Sequence, residues 1–302
     1  MELPHKENNR KRDVELVVIS DVHLGTYGCR AEELLNYLRT VRPRTLVLNG
    51  DIVDIWQFNK RYFPPAHIKV IKSITSMLAK GTQVYYITGN HDELFRKFSG
   101  FELGGLHLLN KVVLELDGQK AWFFHGDVFD VTMRHSRWLA KLGGHGYDLL
   151  ILLNTFFNRV SRLFGGGRIS LSRKIKNSVK SAVKYINDFE GTAALIALDN
   201  HYDQVICGHI HQPAMRHLQD EQGRSVLYLN SGDWVENLTA LEYNGGQWNI
   251  YRYADDPVAK GRLDAGEDDH ELTRAAHSPH ELFTALVAEL CTVERAPFQA
   301  ST

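Results

Sequence analysis

Short apolar runs punctuate this chain, and each ends in side chains able to hold a metal ion. Val17-Val18-Ile19 leads into Ser20-Asp21-Val22-His23, Leu46-Val47-Leu48 into Gly50-Asp51, and Tyr85-Tyr86-Ile87 into Gly89-Asn90-His91-Asp92. Later, Lys120 to Phe124 leads into His125-Gly126-Asp127, and Gln204 to Cys207 into Gly208-His209-Ile210-His211. Apolar runs bounded by turn-forming residues read as buried strands. Polar groups that recur at strand ends point to a sheet whose carboxyl edge opens on one shared cleft, because that edge is where open α/β sheets place their ligands.

The segments between the runs support the same fold class. Ala31 to Thr40 has helical spacing with Leu34, Leu35 and Leu38 on one side, and Ile68 to Ala79 repeats the pattern until Gly81 breaks it. Strand, helix, strand, helix, strand predicts a layered α/β core with parallel strands. Val112 to Leu116 and Lys120 to Phe124 are expected to pair as a hairpin across Asp117-Gly118. Ser225 to Asn230, Thr239 to Tyr243 and Gln247 to Tyr253 return to strand character. A chain of 302 residues with 43% hydrophobic content can bury one large core or two modest domains.

Charge divides the chain where the apolar pattern changes. Residues 1–13 form a polar extension, and residues 14–133 and 191–254 carry the core pattern. Between them, residues 134–190 hold 11 Lys/Arg against 3 Asp/Glu, a balance of +8, and read as a basic, apolar, mainly helical insertion. Residues 255–302 hold 10 acidic and 4 basic residues, a balance of -6, and read as an acidic, partly disordered tail with a linker-like first half and a short helix over Pro279 to Leu290, either mobile or folded back on the basic insertion by charge attraction. The overall formal charge of -1 gives no case for nucleic-acid binding. Gly165-Gly166-Gly167 lacks the following Lys-Ser/Thr of a nucleotide P-loop and reads as a loop.

Cys29, Cys207 and Cys291 are too scattered for a disulfide framework or a zinc knuckle, which fits a reducing compartment. The first residues lack the apolar core of a signal peptide, and no run reaches the roughly 18 apolar residues that span a bilayer. A cytoplasmic protein is expected, with attachment to the inner face of the cell membrane as a variant of that expectation.

The strand-end residues suit two adjacent divalent ions. Asp21 and His23, two apart, share a face on an extended backbone and can hold one ion, with His211 completing its shell. Asp51 could bridge to a second ion about 3.5 to 4 Å away, with Asn90, His125 and His209 around it. The oxygen and nitrogen donors suit manganese, iron, zinc or cobalt better than a purely soft site would, and do not choose among them; a pair of manganese ions is the expectation. Taken singly, each residue has a plainer use: Asn90 could cap a helix, and His125 or His209 could be a hydrogen-bonded core residue. The ordered set of seven at segment ends is what carries the metal reading.

The motifs Asp21-x-His23, Gly50-Asp51-x-x-Asp54, Gly89-Asn90-His91-Asp92, His125 and Gly208-His209-x-His211 resemble those of the calcineurin-like metallophosphoesterase superfamily. The resemblance implies a four-layer α/β/β/α sandwich with a helical cap insertion and a dinuclear centre that activates water for in-line attack on phosphorus. It also implies that His91 acts as general acid toward the leaving oxygen, with Asp54 holding one of its ring nitrogens.

Within that superfamily the chain is most similar to the UDP-2,3-diacylglucosamine hydrolase group, on Ser20 to Gly25, Gly89 to Asp92, His125 to Asp127, the insertion, and Gly208 to Pro213. The resemblance implies hydrolysis of a lipid-linked nucleotide to UMP and a lipid phosphate. A different phospholipid, a nucleotide sugar or a small phosphoester is the alternative substrate. A metal-containing module that binds membrane surfaces is the alternative without catalysis. In the insertion, Leu149, Leu153, Phe156, Phe157 and Val160 would line an acyl groove or meet a membrane, or would simply seal the insertion on the core. Arg96, Arg134, Arg137, Arg173 and Lys174 are the candidate phosphate contacts, and a surface ion pair is the competing role for Arg96. The expected partners are a lipid-linked nucleotide or phospholipid and an anionic membrane surface. Nucleic acid and a protein partner are not expected.

Overall fold

The computed structural model describes residues 11–55, 63–129 and 171–264. Alternation along each strand determines what lies on its two faces. In β1 (Arg12–Ile19), Leu16 and Val18 enter one core while Val17 and Ile19 enter another. In β2 (Val41–Asn49), Val47 joins the first of these cores, and Leu46 and Leu48 join the second. A strand covered on both faces must be apolar throughout, which is why these segments read as unbroken hydrophobic runs.

The same rule builds two sheets. β3 (Gln83–Ile87), β4 (Phe101–Leu103), β5 (Leu106–Leu109), β11 (Thr239–Asn244) and β12 (Gln247–Arg252) join β1 and β2 in a seven-stranded sheet ordered β12-β11-β1-β2-β3-β5-β4. Neighbours from β1 to β5 run parallel, and the outer pairs are antiparallel. The second sheet holds β6 (Lys111–Leu116), β7 (Gln119–Phe124), β8 (Gln204–Cys207), β9 (Ala214–Gln219) and β10 (Ser225–Asn230), in the order β6-β7-β8-β10-β9. Between the sheets lies a core of Leu16, Val18, Val47, Ile87, Phe123, Ile206 and Leu229.

Helices close both outer faces. α1 (Ala31–Thr40), α2 (Pro65–Ala79) and α4 (Pro257–Asp264) cover the seven-stranded sheet through Leu34, Val70 and Ala259. α3 (Leu171–Asp199) covers the other sheet through Phe189, Ala193 and Ala197, which recur every fourth residue on one helix face. The result is the expected four-layer α/β/β/α sandwich.

Two boundaries differ from the sequence reading. α3 runs unbroken past residue 190, because its last turns belong to the core that packs on β8 and β10. α4 occupies part of the stretch read as linker-like, with Pro257 at its first position, where a missing N–H costs nothing, and Ala259 fully buried. No described helix is long and apolar enough to cross a membrane. Arg134, Arg137, Leu149, Leu153, Phe156, Phe157 and Val160 lie outside the described residues, as do residues 1–10 and 265–302. Arg173 and Lys174 lie on the first turn of α3.

Candidate metal centre

Beyond the carboxyl ends of β1 and β2 the two chains stay hydrogen-bonded, so the ladder carries on into the loops. The Asp21 N–H donates to Gly50 O at 3.1 Å, those of Val22 and His23 to Asp51 O at 2.9 Å, and that of Leu24 to Ile52 O at 2.9 Å. The Ile55 N–H then reaches His91 O at 3.0 Å, and the Gly208 N–H reaches His125 O at 3.0 Å. Loops from both sheets are thereby fixed around one point.

Eight non-glycine residues among those described have positive φ, and five are expected ligands: Asp21, His23, Asp51, His209 and His211. Asp21 and His23 therefore do not share a face by being extended, as the spacing suggested. β1 ends at Ile19, and left-handed turns bring the two side chains together instead. Asp, Asn and His tolerate this conformation better than other side chains, so residue chemistry and backbone geometry agree.

Three overlapping donor sets result, each with ligand atoms within 4.8 Å of one another: Asp21, His23 and His211; His23, Asp51 and His91; Asp51, His125 and His209. Asp51 and His23 each belong to two sets, so the three sets form one continuous cluster. His211 Nε2 lies 3.1 Å from Asp21 Oδ1, and His125 Nε2 lies 3.2 Å from Asp51 Oδ2. Even so, Asp21 Oδ1 and His125 Nε2 are buried without a hydrogen-bond partner, each on a residue of one of these donor sets. That arrangement fits divalent ions. Asn90 Oδ1 is buried in the loop between Gly89 and His91.

Electrostatics follow from these pairs. Burial disfavours a charged Asp21, but His211 overrides it and carries the carboxyl down to about 2. Burial likewise opposes a charged His211, yet Asp21 lifts the ring to about 9. Against the same burial cost, His125 holds Asp51 well below the carboxylate range, and Asp51 holds His125 well above the imidazole range. Metal entry must displace protons from such rings.

His91 sits at the rim of the cluster. Its N–H donates to Asp51 Oδ1 at 2.8 Å, its Nδ1 lies 2.7 Å from Asp54 Oδ2, and its Nε2 lies 4.0 Å from Asp51 Oδ2. Burial opposes protonation of the ring, but the Asp54 hydrogen bond and the Asp51 charge raise its pKa. Arg96, on the 3-10 turn Glu93–Phe98, forms an ion pair with Asp127, which ties the loop after β3 to the loop after β7.

Several supports were not singled out in the sequence. Asp92 is fully buried and accepts hydrogen bonds from Ile52 N at 3.0 Å, Gly89 N at 2.6 Å and Tyr86 OH at 2.6 Å, clamping two ligand loops together. The His125 Nδ1 lies 2.9 Å from Asn49 O, which directs its Nε2 inward. Asn230 donates to Gly208 O at 2.8 Å, and Asn237 donates to His211 O at 2.8 Å. Asn230-Ser231-Gly232-Asp233 is one more polar run at a strand end, and that repetition was the available signal.

Residues 14–213 match the family model for calcineurin-like phosphoesterase. Among curated relatives, the chain is 26% identical over 235 residues to the UDP-2,3-diacylglucosamine hydrolase of Blochmanniella pennsylvanica, covering 76% of this chain and 92% of that protein. It is 24% identical over 246 residues to the enzyme of the same name from Aliivibrio fischeri, covering 78% and 98% respectively. A third, from Sodalis glossinidius, is 27% identical over 241 residues, covering 74% and 92%.

Proposed function

The chain belongs to the calcineurin-like phosphoesterase family, and on that premise we propose that it hydrolyses the pyrophosphate of UDP-2,3-diacylglucosamine or a similar lipid-linked nucleotide, releasing UMP and a lipid phosphate. The observation that carries the reaction class is the sharing of Asp51 and His23 between adjacent donor sets. The substrate class rests on relatives whose nearly full length this chain covers.

In this reading Asp21, His23 and His211 would hold one divalent ion, Asn90, His125 and His209 would hold the second, and Asp51 would serve both. Bound there, the ions would neutralise phosphoryl charge and activate water for in-line attack. Asp54 keeps a proton on His91 Nδ1 and so leaves Nε2 facing the reacting group. A protonated His91 donates from Nε2 to the leaving oxygen, and its backbone tie to Asp51 fixes the distance over which it does so. Arg96 orients Asp127 at the rim and could turn to a second phosphate only by breaking that ion pair.

The test is UMP release from UDP-2,3-diacylglucosamine by protein loaded with manganese or cobalt, compared with Asp51→Asn. Turnover lost in the variant supports the reading, and no turnover at saturating metal sinks it. Efficient cleavage of small soluble phosphoesters, with the lipid substrate untouched, would move the assignment to a phosphomonoesterase or phosphodiesterase.

A further inference from the structure

A groove of about 960 Å³ lies away from the metal centre, between α1, α2 and the first residues of β1 and β2. Seven Lys/Arg side chains line it against two carboxylates, Asp13 and Glu15. Asp13 is taken up by Arg42 through hydrogen bonds of 2.5 and 2.8 Å, and Glu15 accepts from the Gly245 N–H at 3.0 Å. Arg44, Lys69, Lys72 and Lys80 form no ion pair with any described carboxylate. Lys69, Lys72, Ser73 and Ser76 follow one another at helical spacing along one face of α2, and Lys80 caps its end. At 1.5 Å per residue this cationic stripe is about 16 Å long. Its form is a track for an extended polyanion and not a cup for a single phosphate.

The chain carries such a polyanion itself. Residues 265–302 hold seven Asp/Glu and two Arg, and four of those carboxylates fall within five residues: Glu267, Asp268, Asp269 and Glu271. Five extended residues span about 16 Å, the length of the stripe. The acidic block begins three residues beyond α4, and α4 packs on α1, whose Leu35 and Arg39 line the groove. Three residues reach about 10 Å, the width of one helix. A flat bilayer would touch only the rim of a concave track, whereas a single strand can enter it.

We infer that the groove between α1 and α2 is a docking site for the acidic segment 267–271 of the same chain. The groove's seven Lys/Arg then meet the four carboxylates of the segment, and the basic face is withheld from other anions.

Zero-length carbodiimide crosslinking of the full chain, mapped by mass spectrometry, tests this directly. Isotopically mixed samples separate links within one chain from links between two. The expected result is links from Lys69, Lys72 or Lys80 to carboxylates 267–271 within one chain, weakened at least about fivefold on moving from low to high salt as screening shortens to a few Å. The neutralised segment (Glu267→Gln, Asp268→Asn, Asp269→Asn, Glu271→Gln) has no reactive carboxylate and serves as the blank for these links. Reversing both partners (Lys69→Glu and Lys72→Glu with Glu267→Lys and Asp269→Lys) should restore links of opposite sense, an outcome that a misfolded variant cannot give. Links confined to other lysines or to a second chain overturn the inference. So does tight binding of inorganic polyphosphate or of anionic phosphatidylglycerol vesicles to the groove with crosslinking unchanged.

Discussion

Replacing Gly89 by alanine adds one methyl group at the place where the ligand loops come closest. Its Cβ would lie 2.2 Å from Asp51 Oδ1, 2.7 Å from Asp51 N and 2.8 Å from His125 Cδ2. Carbon contacts sit near about 3.5 Å, so relief requires a displacement on the order of 1 Å. The carboxylate alone could rotate away, but the Asp51 backbone cannot, since its carbonyl is held at 2.9 Å by two N–H groups of the β1 loop. The strain therefore falls on the residue shared by two donor sets. Overpacking of this kind costs about 1–3 kcal/mol, or a fall in Tm of about 3–9 °C in a domain of this size. A shift on the order of 1 Å at a catalytic group lowers turnover by about a hundredfold. The assay pairs thermal melts with phosphoesterase rates across a manganese titration. Gly191→Ala serves as control: this helical position has nothing within 4 Å of its added Cβ, and the change should add about 0.5–1 kcal/mol of stability. Wild-type metal dependence and turnover in Gly89→Ala would refute the claim that this close approach positions Asp51.

Three further outcomes follow from the same packing. His67 is buried and accepts the Gly25 N–H through Nδ1 at 3.0 Å, and burial lowers its pKa to about 4. Because the unfolded chain binds the proton first, stability is full above about pH 6.5 and declines toward pH 4, by about 2 kcal/mol once residual hydration is allowed for. Urea unfolding at both pH values should show a flatter response in His67→Gln. Asp92→Asn removes one acceptor from a site that receives three donors and should cost about 2–3 kcal/mol in denaturant titrations, together with weaker metal retention. Phe123→Ala opens a cavity between the two sheets, where the ring is fully buried, and should cost about 3–5 kcal/mol by thermal melting.

What the sequence made legible was whatever local pattern dictates. Asp117-Gly118 marked the β6–β7 turn, and both residues take positive φ, the handedness that a two-residue hairpin prefers. Ala31 to Thr40 and Gln204 to Cys207 were bounded correctly because buried apolar residues at the right spacing carry each, Leu34, Leu35 and Leu38 in one and Val205 and Ile206 in the other. β9 was missed because an edge strand is polar on most positions, and Ala214–Gln219 buries only Ala214. β4 and β5 are three and four residues long, too short for periodicity to register. The ligand types were readable at strand ends, but their left-handed turns and the tie from Ile52 N to Asp92, forty residues apart in sequence, lie beyond what a local window contains.

Those left-handed turns also bear on how such a chain can change. At Asp21, His23, Asp51, His209 and His211 a substitution must satisfy a backbone that few side chains accept, quite apart from what it does to a metal. A lineage released from catalysis would therefore not drift freely at these positions. It would move first to glycine or asparagine, which keep the turns, while valine, isoleucine and threonine stayed excluded. Decayed copies of this protein should be recognisable by loops that preserve the shape of the site after losing every donor in it.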